Sequence, residues 1–143
     1  MEKEVLITIK SSQTMVGEPE AAQPAELISQ GCYEYSDEQQ RFAYMESELT
    51  GLEGTKTAFT VSPDEVVMDR TGAVTSRMVF RRGKKHHFMY ETPYGTLALG
   101  MDTHVLEAEL GAQGGSMRIE YDLDFENAML SRNKIHITIR EKS

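Results

Sequence analysis

Carboxylates spaced two residues apart are the first groups in this sequence whose pattern suits chemistry. Glu46 with Glu48, and Glu107 with Glu109, place paired carboxylates on one face of an extended strand, where they can hold a divalent cation or divide the roles of general acid and base. The chain carries 23 acidic against 15 basic residues, a formal net charge of -8, so such pairs are expected first as the wet face of half-buried strands. Arg81, Arg82, Lys84, Lys85, His86 and His87 form one basic cluster around Gly83. It offers an anion a hairpin tip, but a solvated, charged turn is the favoured reading. Adjacent strand residues point to opposite faces, so His86 and His87 do not share a metal. His104 and His136 have no ligand-type partner nearby in the sequence, and Cys32, the single cysteine, sits in no nucleophile signature. Cys32 is expected as a small apolar filler. There is no Gly-X-Ser-X-Gly elbow, and no glycine-rich loop between a strand and a helix to cradle phosphate. No metal site, catalytic residue or cofactor is expected, and a metal-dependent hydrolase is the least favoured function.

A second set of residues suits binding. Nine methionines are many for 143 residues, and Met68, Met78, Met89, Met101 and Met117 fall in extended segments, where flexible thioethers either fill a core or line an adaptable apolar pocket. Core filling is the favoured role. Tyr33, Tyr35, Tyr44 and Tyr90 combine an apolar body with a polar tip, and the spacing of Tyr33 and Tyr35 puts them on one face.

The elements that must position these groups are strands. Met117, Ile119, Tyr121, Leu123 and Phe125 alternate with Arg118, Glu120, Asp122 and Asp124, while Ile135, Ile137, Ile139 and Val5, Ile7, Ile9 repeat the pattern at the two ends of the chain. That period of two predicts strands with one dry face. Further extended segments are expected over Glu26 to Tyr35, Arg41 to Thr50, Thr55 to Ser62, Glu65 to Arg70, Ala73 to Arg81, Lys84 to Glu91 and Gly95 to Leu110. Turn sequences such as Ser62-Pro63-Asp64-Glu65, Thr92-Pro93-Tyr94-Gly95 and Arg82-Gly83-Lys84 separate most of them, with proline and glycine supplying the required φ values. The longest connector, Thr14 to Ala25, has room for one helical turn. About eight to ten strands joined by short hairpins predict an all-β, antiparallel up-and-down barrel, because closing the meander removes its exposed edges. An open two-sheet sandwich is the alternative.

The length suits a single domain, taken as residues 1–143. The acidic balance argues against nucleic acid as a partner. The first ten residues have no apolar signal core, and no uncharged apolar run is long enough to span a bilayer. With one cysteine, these features place the chain in the cytoplasm, away from membranes.

The succession Gly51-Leu52-Glu53-Gly54-Thr55, Arg70-Thr71-Gly72-Ala73-Val74, Tyr94-Gly95 and Met117-Arg118-Ile119-Glu120-Tyr121-Asp122-Leu123 resembles the YwiB-like proteins of bacteria over most of the chain. The resemblance implies their calycin-like, lipocalin-type β-barrel and brings no activity or catalytic residue with it. Glu2-Lys3-Glu4 invites a different comparison, with triphosphate tunnel enzymes, whose barrel opens on a Glu-X-Glu-X-Lys strand. Leu6 stands where that lysine belongs, and the rows of basic residues that neutralise a triphosphate are missing.

The leading expectation is a non-catalytic protein that binds a small, largely apolar ligand inside the barrel. Its expected lining is Tyr33, Tyr35, Tyr44, Met78, Phe80, Phe88, Tyr90, Leu99 and Met101. The alternative is a structural or protein-interaction module, a homo-oligomer with a filled barrel, suggested by Leu6, Met45 and Leu49, which break or double the alternation.

Overall fold

The structure is a computed structural model that describes residues 2–17, 25–47 and 52–142. Ten strands account for most of these residues: β1 (Glu2–Met15), β2 (Ala25–Tyr35), β3 (Gln40–Met45), β4 (Thr55–Ser62), β5 (Glu65–Gly72), β6 (Ser76–Phe80), β7 (Lys85–Thr92), β8 (Gly95–Gly111), β9 (Gly114–Phe125) and β10 (Ala128–Glu141). They form one antiparallel sheet in the order β6-β5-β4-β3-β2-β1-β10-β9-β8-β7. Every strand therefore pairs with its sequence neighbours except β6 and β7, and the first and last strands pair with each other. The expected all-β, antiparallel barrel is what forms, and it is nearly closed. At the β6/β7 seam the ladder is reduced to isolated bridges, Thr75 with Glu91 and Arg82 with Thr103. The Thr75 and Glu91 amides each donate to the other's carbonyl at 2.9 Å, and the Gly83 amide donates to the Thr103 carbonyl at 2.9 Å.

Alternation explains the core. Val5, Ile7 and Ile9 of β1 point inward beside Ile135, Ile137 and Ile139 of β10, in a register that pairs Ile7 with Ile139 and Ile9 with Ile137. Met117, Ile119 and Tyr121 continue this layer on β9. The middle of the barrel is solid, since Tyr33, Phe59, Phe80, Met68, Met101, Met117, Ile119 and Ile137 are all less than 2% exposed. Phe42 stacks on Phe59 at 4.9 Å and Phe80 meets Tyr121 edge-on at 5.1 Å between ring centroids, arrangements that add to the energy of burial alone.

Two irregularities re-aim side chains. In β8 the register with β9 shifts between Thr103 and Val105, so the inward series changes from Leu99, Met101 and Thr103 to Leu106 and Leu110. β10 shifts against β9 between Met129 and Ser131. Each is the extra residue of a β-bulge, which turns the following side chains to the other face.

The β9–β10 hairpin turns on Glu126 and Asn127, both with positive φ (51° and 66°), the backbone of a two-residue type I′ turn. Glutamate is poorly suited to that conformation. Glu126→Gly is expected to stabilise the protein by about 0.5–1 kcal/mol, read as a higher urea midpoint at unchanged slope.

Several sequence expectations are corrected. Cys32 does not fill the core. With Tyr33 and Tyr35 turned inward on β2, Cys32 must face out and is exposed, and its thiol is pushed up, first by desolvation and then by the nearby Glu2. The segment expected over Arg41 to Thr50 leaves the sheet after Met45, and that expected over Ala73 to Arg81 is in the sheet only from Ser76 to Phe80. β1 runs on to Met15 and β2 begins at Ala25; residues 18–24, where the helical turn was expected, lie outside the described residues, as do Glu48 and Leu49. Glu2 and Glu4 sit on the outer face opposite Val5, Ile7 and Ile9, away from any tunnel.

Candidate binding cavity

Cross-strand register builds an internal polar row near one end of the barrel. Tyr44 of β3 pairs with Thr57 of β4, Thr57 with Arg70 of β5, and Arg70 with Ser76 of β6. Opposite residues share a face, so all four turn inward. Glu46, two residues beyond Tyr44, follows the same parity and is held in place by its amide, which donates to the Thr55 carbonyl at 2.9 Å. It is not the solvated carboxylate expected of it: its side chain is 3% exposed. Thr57 Oγ1 donates to Glu46 Oε1 at 2.8 Å, and the Tyr44 hydroxyl also hydrogen-bonds to Glu46. Arg70 Nη2 lies 3.9 Å from Glu46 Oε1. Burial, and next the Glu46 charge, raise the Tyr44 phenol far above its ordinary range; burial does the same to Tyr121 although Arg70 opposes it. Both phenols remain hydrogen-bond donors at any physiological pH.

Arg70 borders a cavity of about 410 Å³. Met78, Phe88, Leu99, Leu123 and Ile135 supply apolar wall, and Gln13, Arg70, Tyr90, Tyr121 and Asn133 supply polar groups. The lining comes from strands on opposite sides of the barrel and includes the exposed Lys134, so the cavity is an end pocket that opens to solvent where β1 finishes and β10 begins.

The nine residues expected to bind a ligand are divided by the packed middle. All lie on the inner face. Met78, Phe88, Tyr90 and Leu99 border this cavity, and Tyr44 lies behind it with Glu46. Phe80 and Met101 belong to the packed middle, as does Tyr33, whose hydroxyl donates to the Gly111 carbonyl at 2.7 Å. Burial pushes the Tyr33 phenol up to about 12. Tyr35 is at the opposite end, beside a polar crevice of about 1020 Å³ edged by Arg81, Arg82, Lys84, Asp37, Asp64 and Glu107. That crevice is larger, but its densely charged rim makes it a poorer home for an apolar molecule. Parity along Phe42–Tyr44–Glu46 and Val66–Met68–Arg70 puts Glu46 and Arg70 on the inner face, whereas the sequence reading placed Glu46 with Glu48 on a wet one.

The remaining chemical candidates are surface groups. Glu107 and Glu109 are exposed, as expected. Arg81 pairs with Glu65 at 2.8 Å and Lys85 with Asp124 at 2.8 Å, leaving the basic cluster partly neutralised. His86 stacks on Phe88. His104 does find a partner, across strands: its Nε2 lies 2.7 Å from Asp122 Oδ2, while Arg132 Nε donates to Asp122 Oδ1 at 3.0 Å. Burial opposes ionisation of Asp122, but the hydrogen bonds from Arg132 and His104 outweigh it and hold this carboxyl below the usual range. A depressed folded-state value means stability that is present above the unfolded value near 4 and lost as pH falls through the folded one. Asp122→Asn should thus lower stability by about 1 kcal/mol at pH 7, with wild type and variant converging once acid takes the pH below the depressed folded value. Urea unfolding at the two pH values measures this. Among the described residues no three His, Cys, Asp or Glu side chains are grouped to hold a metal ion, and no helix is long and apolar enough to cross a membrane.

The fold and its interior define a nearly closed, calycin-like antiparallel β-barrel with a packed middle and one apolar-walled end cavity. Residues 7–137 match the domain of unknown function DUF1934, and the chain belongs to that family. It is similar to the ywiB protein from Bacillus subtilis, whose crystal structure aligns with a TM-score of 0.83 at 25% identity over 99% of this chain and 94% of that one. No curated protein matches.

Proposed function

We propose that this protein is a non-catalytic, cytoplasmic carrier or sensor of a small, largely apolar molecule held in the end cavity. The observation that carries the reading is a largely apolar-walled space of about 410 Å³ at one end of a barrel whose middle is tightly packed. Cores are normally filled to crystal density, and ligand sites are concave, mostly apolar and few. Native mass spectrometry of protein from its own host tests this directly. The expected result is a non-covalent adduct of a few hundred daltons that denaturation releases. Ligand-free protein that also takes up no hydrophobic probe overturns the reading. Leu99→Trp, which adds volume to the wall, should abolish uptake while the fold is retained.

A second reading, an interaction module or homo-oligomer, draws support from Met15, Val16, Phe125, Met129 and Leu130. These are exposed apolar residues around the same end of the barrel, and an apolar patch of sufficient size marks an interface. Concentration-dependent mass in sedimentation equilibrium supports it; a monomer across the micromolar range removes it.

A further inference from the structure

The structure assigns the free edge of β8, from Gly95 to Leu99, as the surface through which two copies of this chain pair strand to strand. This rests on the homo-oligomer reading above and names the element that carries it. β7 and β8 pair from Lys85 with Asp102 up to Thr92 with Gly95, but β9 joins β8 only from Gly100 onward. The hairpin therefore stands beyond the β9–β10 turn as a tab, and Gly95 to Leu99 have no strand on their β9 side among the described residues. The seam fixes where their backbone groups point. Glu91 spends its amide and carbonyl on Thr75, so Thr96, which stands opposite Glu91, turns its own N–H and C=O away from β7, and Ala98, two residues on, does the same. Four backbone groups thus face the open edge, in a stretch where residues 95–98 are all exposed.

Sheets protect such an edge with charge, proline or a bulge. Gly95-Thr96-Leu97-Ala98-Leu99-Gly100 has no charged residue and no proline, and the β8 bulge lies further along, between Thr103 and Val105. The open edges of β6 and β7 differ, since they face each other across the seam. An unprotected edge accepts an added strand, and symmetry names that strand. Setting Leu97 opposite Leu97 of a second copy, antiparallel, puts Thr96 against Ala98 and Ala98 against Thr96, so all four outward groups find partners in two reciprocal pairs. Moving the register by two residues either way sets one of them against the hairpin turn or against Gly100, which β9 already occupies. In a chain of net charge -8, this edge lets two copies meet with no like charges opposed. Leu97, 48% exposed, gains an apolar neighbour, and the exposed Phe125 and Leu130 at the same end of the barrel extend the apolar surface.

Sedimentation equilibrium of the whole protein across the micromolar range, with Cys32→Ser to remove the exposed thiol, tests the pairing. A dimer is expected. Ala98→Pro removes one outward N–H per copy and spares the bonds to β7, so it should weaken the dimer by about tenfold or more. Thr96→Lys leaves the backbone alone and brings two like charges together on one face, which should weaken it by about threefold or more. Leu97→Cys reads the register. Opposed residues outside the hydrogen-bonded pairs stand about 4.5 Å apart at Cα, within reach of a disulfide, so mild oxidation should give a covalent dimer with Leu97→Cys and none with Thr96→Cys. A dimer that neither Ala98→Pro nor Thr96→Lys weakens, or that Leu97→Cys does not cross-link, overturns the β8 assignment and leaves the homo-oligomer reading standing. A monomer throughout overturns both and leaves the edge to a strand of another protein.

Discussion

Glu46→Leu is expected to cost about 3 kcal/mol of folding stability, because it leaves the Arg70 guanidinium inside the barrel without a counter-charge. The Arg70 side chain is 17% exposed, so water reduces the penalty below that of a fully enclosed ion, and the figure sits at the lower end for broken internal pairs. Arg70→Met should cost a similar amount through the opposite imbalance. The two changes together, as Glu46→Leu with Arg70→Met, should return most of the loss, since an ion pair replaced by apolar groups of similar size is often neutral. Urea unfolding of the four proteins closes the cycle, and a coupling of about 2 kcal/mol is the expected result. Single variants within 1 kcal/mol of wild type would show that water reaches both groups freely.

The other large effect is steric. Gly31 lies on β2 with its pro-side-chain direction turned inward, and a Cβ there would collide with the Ala43 carbonyl oxygen of β3 and with the Ile7 side chain of β1. A backbone oxygen inside a paired ladder cannot move aside as a side-chain tip can. Gly31→Val should therefore cost about 4 kcal/mol or more, seen as loss of the cooperative urea transition or of soluble protein. Gly111→Ala is the control: an added Cβ there meets only the Gly114 carbonyl at 3.8 Å and the backbone φ is not left-handed, so its cost should stay below about 1 kcal/mol. Equal losses for the two would mean that glycine flexibility, rather than close approach of neighbouring strands, is what matters on β2.

Much of this arrangement was legible in the residues because a strand has only two faces. Val5, Ile7 and Ile9, or Met117, Ile119 and Tyr121, declare their inner face by parity alone, and Tyr33 with Tyr35 followed the same rule. The two β-bulges were not legible. His104 and Leu130 look like ordinary members of their strands, and only pairing partners far along the chain reveal that the phase changes there. Glu46 was misjudged for a different reason, and Arg70 was passed over: a charged residue in an acidic chain is read as surface, although each continues the inward series of its own strand, Phe42–Tyr44–Glu46 and Val66–Met68–Arg70. The inner polar groups were concealed by their type rather than their position. The cavity itself depends on how side chains from opposite walls fill the barrel, which no local pattern encodes.

The pairing of β1 with β10 has a consequence for biosynthesis. Val5 lies opposite Glu141 and Met15 opposite Ser131, so the central ladder joins strands separated by almost the whole sequence described here. Until β10 has been made, the nascent sheet exposes the edge of β1 and the edge of β9, two long, apolar-faced strands that are competent to pair with other chains. Closure must then occur late and in one step, with the high loop-closure cost that slows non-local β folds. A ribosome-bound chain arrested before β10 should remain sensitive to protease and should recruit holding chaperones, and the same chain extended past Glu141 should not.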